Sequence, residues 1–356
     1  MKRIFLLAIL LISLTAFVSC SQSNEPKSPD YKDPREMTWT VDTLEYPGSP
    51  QTNMCSIWGS APTDVWVCGH SSSSLGSIWH FDGNSWNDIY LYDDIEQGPL
   101  SPKWVWGIDA DNIWIVGSDA IDWPEQKGLI LSYNGTNWTK HFIDEGQPIY
   151  EVWGGRSDDI WVCGKQGVIY HFDGEVVVLY DSLEIDHSED GSYTLWSIKK
   201  YNGELYLTVA ASGEDSSNSI RYLFKKNGDE WIVIDSFSVN NRNYEFGAYK
   251  LYISCDNKFY SYGSGGLFRW KDESWVNLYS NPSYVQGCWA INDNYIIVVG
   301  GRGEAYHFNG TNWAKLNDAG SEDVLLTGVW TDGYEVFIIG YTLTGFPSKT
   351  IVWRGK

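Results

Sequence analysis

Three of the six histidines, His80, His171 and His307, occupy one phrase of the sequence, x-H-F-(D/N)-G. Neutral imidazoles are common metal ligands. Each copy of this phrase sits in a separate repeat unit, however, so the three rings are spread one per unit instead of being gathered. They are read as structural hydrogen-bonding groups, and no metal site is assigned. Asp64, Asp111 and Asp159 recur in the same way and read as turn residues whose carboxylates accept from nearby backbone N–H groups. Five cysteines follow Cys20, namely Cys55, Cys68, Cys163, Cys255 and Cys288. None has the C-x-x-C spacing of a metal site. Cys68 and Cys163 precede Gly at equivalent positions and read as small buried apolar residues. Cys255 and Cys288 fall on neighbouring inner strands and are the one pair placed for a disulfide. The sequence has no G-x-S-x-G elbow and no H-E-x-x-H helix. Gly263-Ser264-Gly265-Gly266 joins two strands and is not a phosphate loop.

The elements that must position these residues come from a repeat. One phrase recurs, V-W-G-x-x-x-x-D-x-W-V-x-G followed by x-H-F-D-G-x-x-W. It opens at Trp58, Trp106, Trp153 and Trp289, with weaker copies opening at Trp196, Ile253 and Trp330. Each copy divides into four short β-branched or alternating segments. Asp-Gly and Asn-Gly pairs separate them and supply the positive φ of hairpin turns. Each copy is therefore a four-stranded antiparallel meander. Units of roughly 40 residues with four strands each are the signature of propeller blades. The 20 Trp and 23 Tyr suit the flat gaps between such sheets.

The last copy lacks a fourth strand. Thr38-Trp39-Thr40-Val41-Asp42-Thr43-Leu44 resembles the fourth strands elsewhere, with Trp39 in the place of Trp86, Trp138 and Trp313. The expected fold is all-β, a seven-bladed β-propeller closed by its N-terminal strand, which removes two sheet edges. The phrase resembles the repeat of bacterial secreted and lipoprotein β-propellers over nearly all of residues 38–356, and more distantly the Asp-box propellers. Phe81-Asp82-Gly83-Asn84-Ser85-Trp86 lacks the Ser of an Asp box, so sialidase chemistry does not carry over. The resemblance implies a fold and an exported location, and leaves activity open.

What does not repeat points to function. The insertions at 70–77, 118–128, 212–219 and 341–348 lie between strands two and three. Those at 92–102, 181–192 and 235–249 lie between strand four and the next blade. In a meander both kinds exit on one face. Long loops on a rigid scaffold commonly carry binding. The residues singled out as ligand-binding are Trp123, Tyr92, Asp93, Asp94, Asp119 and Asp122. Glu96, Glu125, Asp181, Glu184, Asp186, Glu189 and Asp190 add to an acidic rim. Such a mouth suits a cationic, carbohydrate or protein partner, and its carboxylates could hold Ca²⁺; no other cofactor is expected. A binding scaffold is favoured. The alternative is a carbohydrate-active hydrolase or lyase at the central channel, which needs two carboxylates about 5–9.5 Å apart.

The N-terminus carries a basic start, Met1-Lys2-Arg3, and an apolar run from Ile4 to Val18, which together read as a secretory signal over residues 1–19. The segment Phe17-Val18-Ser19-Cys20 resembles the bacterial lipobox, with Phe17 where Leu is usual. That resemblance implies lipidation of Cys20, and Ser21 after it favours the outer membrane. Residues 20–36 read as a flexible tether and residues 37–356 as the propeller. The expected localisation is the cell envelope, with membrane contact through the lipid alone and the chain a monomer. A net charge of −21 argues against a nucleic-acid partner.

Overall fold

The computed structural model describes residues 30–73, 75–91, 100–122, 125–143, 147–185, 192–212, 219–239, 244–280 and 284–356. Seven four-stranded antiparallel sheets follow one another along the chain. Their first strands are Thr52–Ala61, Leu100–Asp109, Ile149–Arg156, Ser192–Tyr201, Lys250–Ile253, Val285–Asn292 and Val324–Thr331. These strands contact one another around the ring and so surround a central channel. The expected seven blades are therefore present. The closure is present too: Trp39–Leu44 pairs with Thr350–Gly355, with Val41 opposite Trp353, as the outer strand of blade seven.

The repeated residues have physical jobs that the structure makes explicit. In V-W-G, the Trp of one blade covers the Gly of the next. A Cβ on Gly107 would meet the Trp58 ring at 2.5 Å, and one on Gly59 would meet the Trp330 ring at 2.9 Å. The Trp106 indole Nε1 donates to the carbonyl of Gly154 at 2.9 Å. The third-to-fourth turn is an Asx turn in several blades. Asp82 Oδ1 accepts from the N–H groups of Asn84 and Ser85 at 2.9 Å each, and Asn134 and Asn309 do the same. Gly83 follows at φ 94°, which an L side chain rarely adopts.

Asp64 and Asp159 have a different role from the one expected. Asp64 Oδ1 accepts from Trp66 Nε1 at 2.9 Å and faces His80 Nε2 at 2.7 Å. Asp159 Oδ1 repeats this with Trp161 at 2.8 Å and His171 at 2.9 Å. Each Asp opens the second strand, so its side chain shares a face with the Trp two residues on. Each His ring stacks on that Trp with centroids 4.1 Å apart. His80 and His171 are thus hydrogen-bonded packing groups, whereas His307 is buried with its Nδ1 3.3 Å from Asp33 Oδ1. Burial pushes the Asp64 carboxyl up, but hydrogen bonds from His80, Ser60 and Trp66 outweigh it and hold the acid below its ordinary range.

Four further readings change. The weak copies slip in register. Trp58 faces Trp66, and the equivalent pairs are Lys199 with Tyr206 and Tyr252 with Tyr260. Blades four and five therefore carry Lys199 and Tyr252 at the V-W-G tryptophan position, not Trp196 and Ile253. The segment 118–128 is largely ladder, because Asn112–Asp122 and Glu125–Tyr133 continue as paired strands, Asp119 opposite Lys127. Cys255 and Cys288 are free thiols; Cys255 lies in the turn after Lys250–Ile253 and is exposed, while Cys288 is buried. Finally, contacts with the propeller begin before residue 37. Lys32 N–H donates to Gly333 O, and Arg35 Nη2 donates to the carbonyls of His307 and Asn312 at 3.0 and 2.7 Å.

Candidate binding site at the channel mouth

Six innermost strands carry a β-bulge at one equivalent place. The extra residues are Cys55, Lys103, Tyr150, Trp196, Gln286 and Thr327. A bulge re-aims a side chain without breaking the strand. All six line a single cavity of about 310 Å³, where blade five contributes Tyr249 and Lys250 and the remaining wall is Trp104, Leu325 and Tyr341. The bulges lie near the start of each first strand, just past the strand-four connections. The cavity therefore opens on the long-loop face.

Aromatic rings dominate its wall. Tyr150 meets Trp196 edge-on at 4.7 Å, Trp196 meets Tyr249 at 4.5 Å, and Tyr249 meets Tyr284 at 5.6 Å. These contacts run through four consecutive blades. Burial pushes the Tyr150 and Tyr249 phenols up, so both stay neutral donors at ordinary pH.

Below the rings lies a buried ion cluster. Glu151 is fully buried; its Oε2 accepts from Lys199 Nζ at 2.8 Å, Ser197 Oγ at 2.7 Å and Ile198 N–H at 2.7 Å. Lys250 Nζ stands 3.5 Å from Glu151 Oε1, donates to Trp196 O at 2.6 Å and lies 4.0 Å from the centroid of the Trp104 ring. Burial lowers the Lys199 ammonium pKa, an effect that Glu151 opposes. Deeper still the channel narrows to about 40 Å³ between Trp106, Lys199, Tyr252 and Trp289. Among the described residues no carboxylate lines the upper cavity.

Of the residues singled out from sequence as ligand-binding, Asp119 and Asp122 are described. Tyr92, Asp93, Asp94 and Trp123 lie outside the described residues. Asp122 ends the second strand of blade two. Asp119 is not on an open loop: it is buried in that strand, with its Oδ2 3.6 Å from Lys140 Nζ. Exposed apolar side chains on this face are Phe142, Leu343 and Phe346, at 85 %, 52 % and 81 % exposure. The long loops do not reveal the bulge ring, because it lies within the inner strands. Its signal is in the sequence: three residues before each V-W-G tryptophan, residue type changes from copy to copy while its surroundings persist.

No family model matches the chain, and no curated protein matches it. Solved structures do. YCF48 from Cyanidioschyzon merolae is 12 % identical, with a TM-score of 0.58 over 88 % of this chain and 98 % of that one. YCF48 bound to D1 peptide is 14 % identical, TM-score 0.58, covering 91 % and 96 %. The extracellular domain of a putative hybrid two-component system from B. thetaiotaomicron is 13 % identical, TM-score 0.55, over 88 % of this chain and 42 % of that one. At such identities the likeness is one of fold: the chain is a seven-bladed β-propeller built like YCF48 and like that extracellular domain.

Proposed function

We propose that this protein is a non-enzymatic binding scaffold, anchored to the cell envelope through Cys20 and acting as a monomer, that takes a segment of a protein partner at the channel mouth. The observation that carries this is the bulge ring, which turns six variable residues of a regular scaffold into one aromatic-walled cavity. Exposed Phe142, Leu343 and Phe346 on the same face add apolar surface of the kind that marks interaction sites. A propeller of the same architecture has been solved with a peptide bound, and a similar fold lies in the extracellular domain of a two-component system; both suit a binding role. The hydrolase or lyase alternative lacks support among the described residues, since Glu151 is committed to two lysines and no carboxylate pair lines the cavity.

The reading is tested by mutating the two faces separately in the full chain. Trp196→Ala with Tyr150→Ala should abolish partner capture while Thr136→Arg, on the short-turn face, leaves it intact. Loss of capture in Thr136→Arg alone would place the site on the wrong face.

A further inference from the structure

The chain carries 46 acidic against 25 basic residues, yet the described lining of its channel mouth holds Lys103 and Lys250 and no carboxylate. Glu151 is one carboxylate shared by two buried ammonium groups, Lys199 and Lys250. Lys103, on the bulge of blade two, lines the cavity above them. Its ammonium has no acceptor or ion-pair partner among the described residues. Among the described residues, one carboxylate thus faces two ammonium groups of the cluster, and Lys103 adds a further positive charge beside the aromatic wall. A buried or half-buried charge without a counter-ion is costly, so this lining favours an anionic ligand.

We propose that the channel mouth receives a carboxylate carried on an aromatic or apolar body, which enters end-on. This rests on the binding-scaffold reading and assigns its ligand chemistry. Lys103 and Lys250 receive the charge, and Trp104, Tyr150, Trp196 and Tyr249 hold the body. Size supports entry by an end: about 310 Å³ is at the low limit of small-molecule sites, roughly 300–1,000 Å³. The throat beneath, about 40 Å³, has room for only a few waters, so nothing larger threads through. One ring and a short acid fit where a chain lying across would not. Such a group has two sources, a free arylalkyl carboxylic acid or the C-terminus of a peptide ending in an aromatic residue.

The experiment is calorimetric titration of the full chain with four probes: 3-phenylpropionate, 3-phenylpropionamide, and a hexapeptide ending in Phe with a free or an amidated C-terminus. At least one acid should bind at least tenfold more tightly than its amide; binding of the peptide acid alone identifies a terminus, and of the small acid alone a metabolite. Lys103→Met should remove that preference, weakening acid binding about tenfold or more, with an unchanged melting temperature; Lys103→Arg should retain it. Amides binding as tightly as acids, or no response to Lys103→Met, overturns the carboxylate assignment. If no probe binds while Trp196→Ala with Tyr150→Ala still abolishes partner capture, the carboxylate assignment fails and the scaffold reading stands.

Discussion

The ammonium of Lys250 stands 4.0 Å from the centre of the Trp104 indole. One residue belongs to blade five and the other to blade two, so this cation–π contact spans the channel, where each is a wall residue of the mouth. A desolvated contact of this kind contributes about 2 kcal/mol. It also fixes the Lys250 amine at the floor of the cavity, with Glu151 as the anion behind it.

Removing that anion should be severe. Glu151→Gln leaves Lys199 and Lys250 buried without a counter-charge, and the expected loss is about 3–5 kcal/mol of stability. Chemical denaturation at pH 7 measures it. A loss under about 1 kcal/mol would mean that water, not Glu151, compensates the two lysines.

Blade stacking gives a second expectation. Gly107 leaves no room for a Cβ beneath the Trp58 ring, so Gly107→Ala should cost about 1–3 kcal/mol by overpacking. Gly345, at φ 86° on an exposed hairpin with nothing close to its Cβ position, is the comparison, since its substitution strains only backbone. Thermal unfolding of Gly107→Ala should also show a lower midpoint than Trp58→Phe with Gly107→Ala, because the smaller ring relieves the clash.

Acid sensitivity follows from His307. The ring is 2 % exposed. Burial lowers its pKa from 6.5 to about 4, with Arg35 adding to the effect and Asp33 opposing it. The unfolded chain therefore binds a proton near pH 6.5 that the folded chain refuses until about pH 4. Stability from this group is present above pH 6.5 and is lost as pH falls through that window, on the order of 3 kcal/mol by pH 4. His307→Gln should flatten the fall of stability between pH 6.5 and 4. An unchanged slope would assign the acid response to other groups.

The proposed membrane anchor has its own test. Radiolabelled palmitate fed to the producing cells should label the chain, and Cys20→Ser should lose the label and move to the soluble fraction. Label retained in Cys20→Ser would exclude this anchor.

The fold was legible because each blade repeats the physics of its neighbour: V-W-G marks the stacking contact and (D/N)-G marks the outer turn. Closure was legible because the last copy lacks a fourth strand and the segment from Thr38 to Leu44, with Trp39 in the repeat position, resembles one. Legibility failed where a substitution hid the register. In Thr194-Leu195-Trp196-Ser197-Ile198-Lys199, the conspicuous Trp occupies the bulge, and a lysine occupies the stacking position. Counting back from the Asn202-Gly203 turn, instead of from the Trp, gives the right alignment. The Glu151 cluster was not legible at all. Its members come from three blades, and their meeting depends on which way one bulge per strand turns the chain, a property no spacing rule records.

The most direct measurement locates the partner on the molecule. A photo-crosslinking amino acid is placed at Tyr341, in the wall of the mouth, and separately at Thr136 on the short-turn face, and each protein is irradiated in its own cell envelope. Adducts at position 341, with none at 136, are the predicted result. Adducts at 136 alone, or at neither position, would contradict the account.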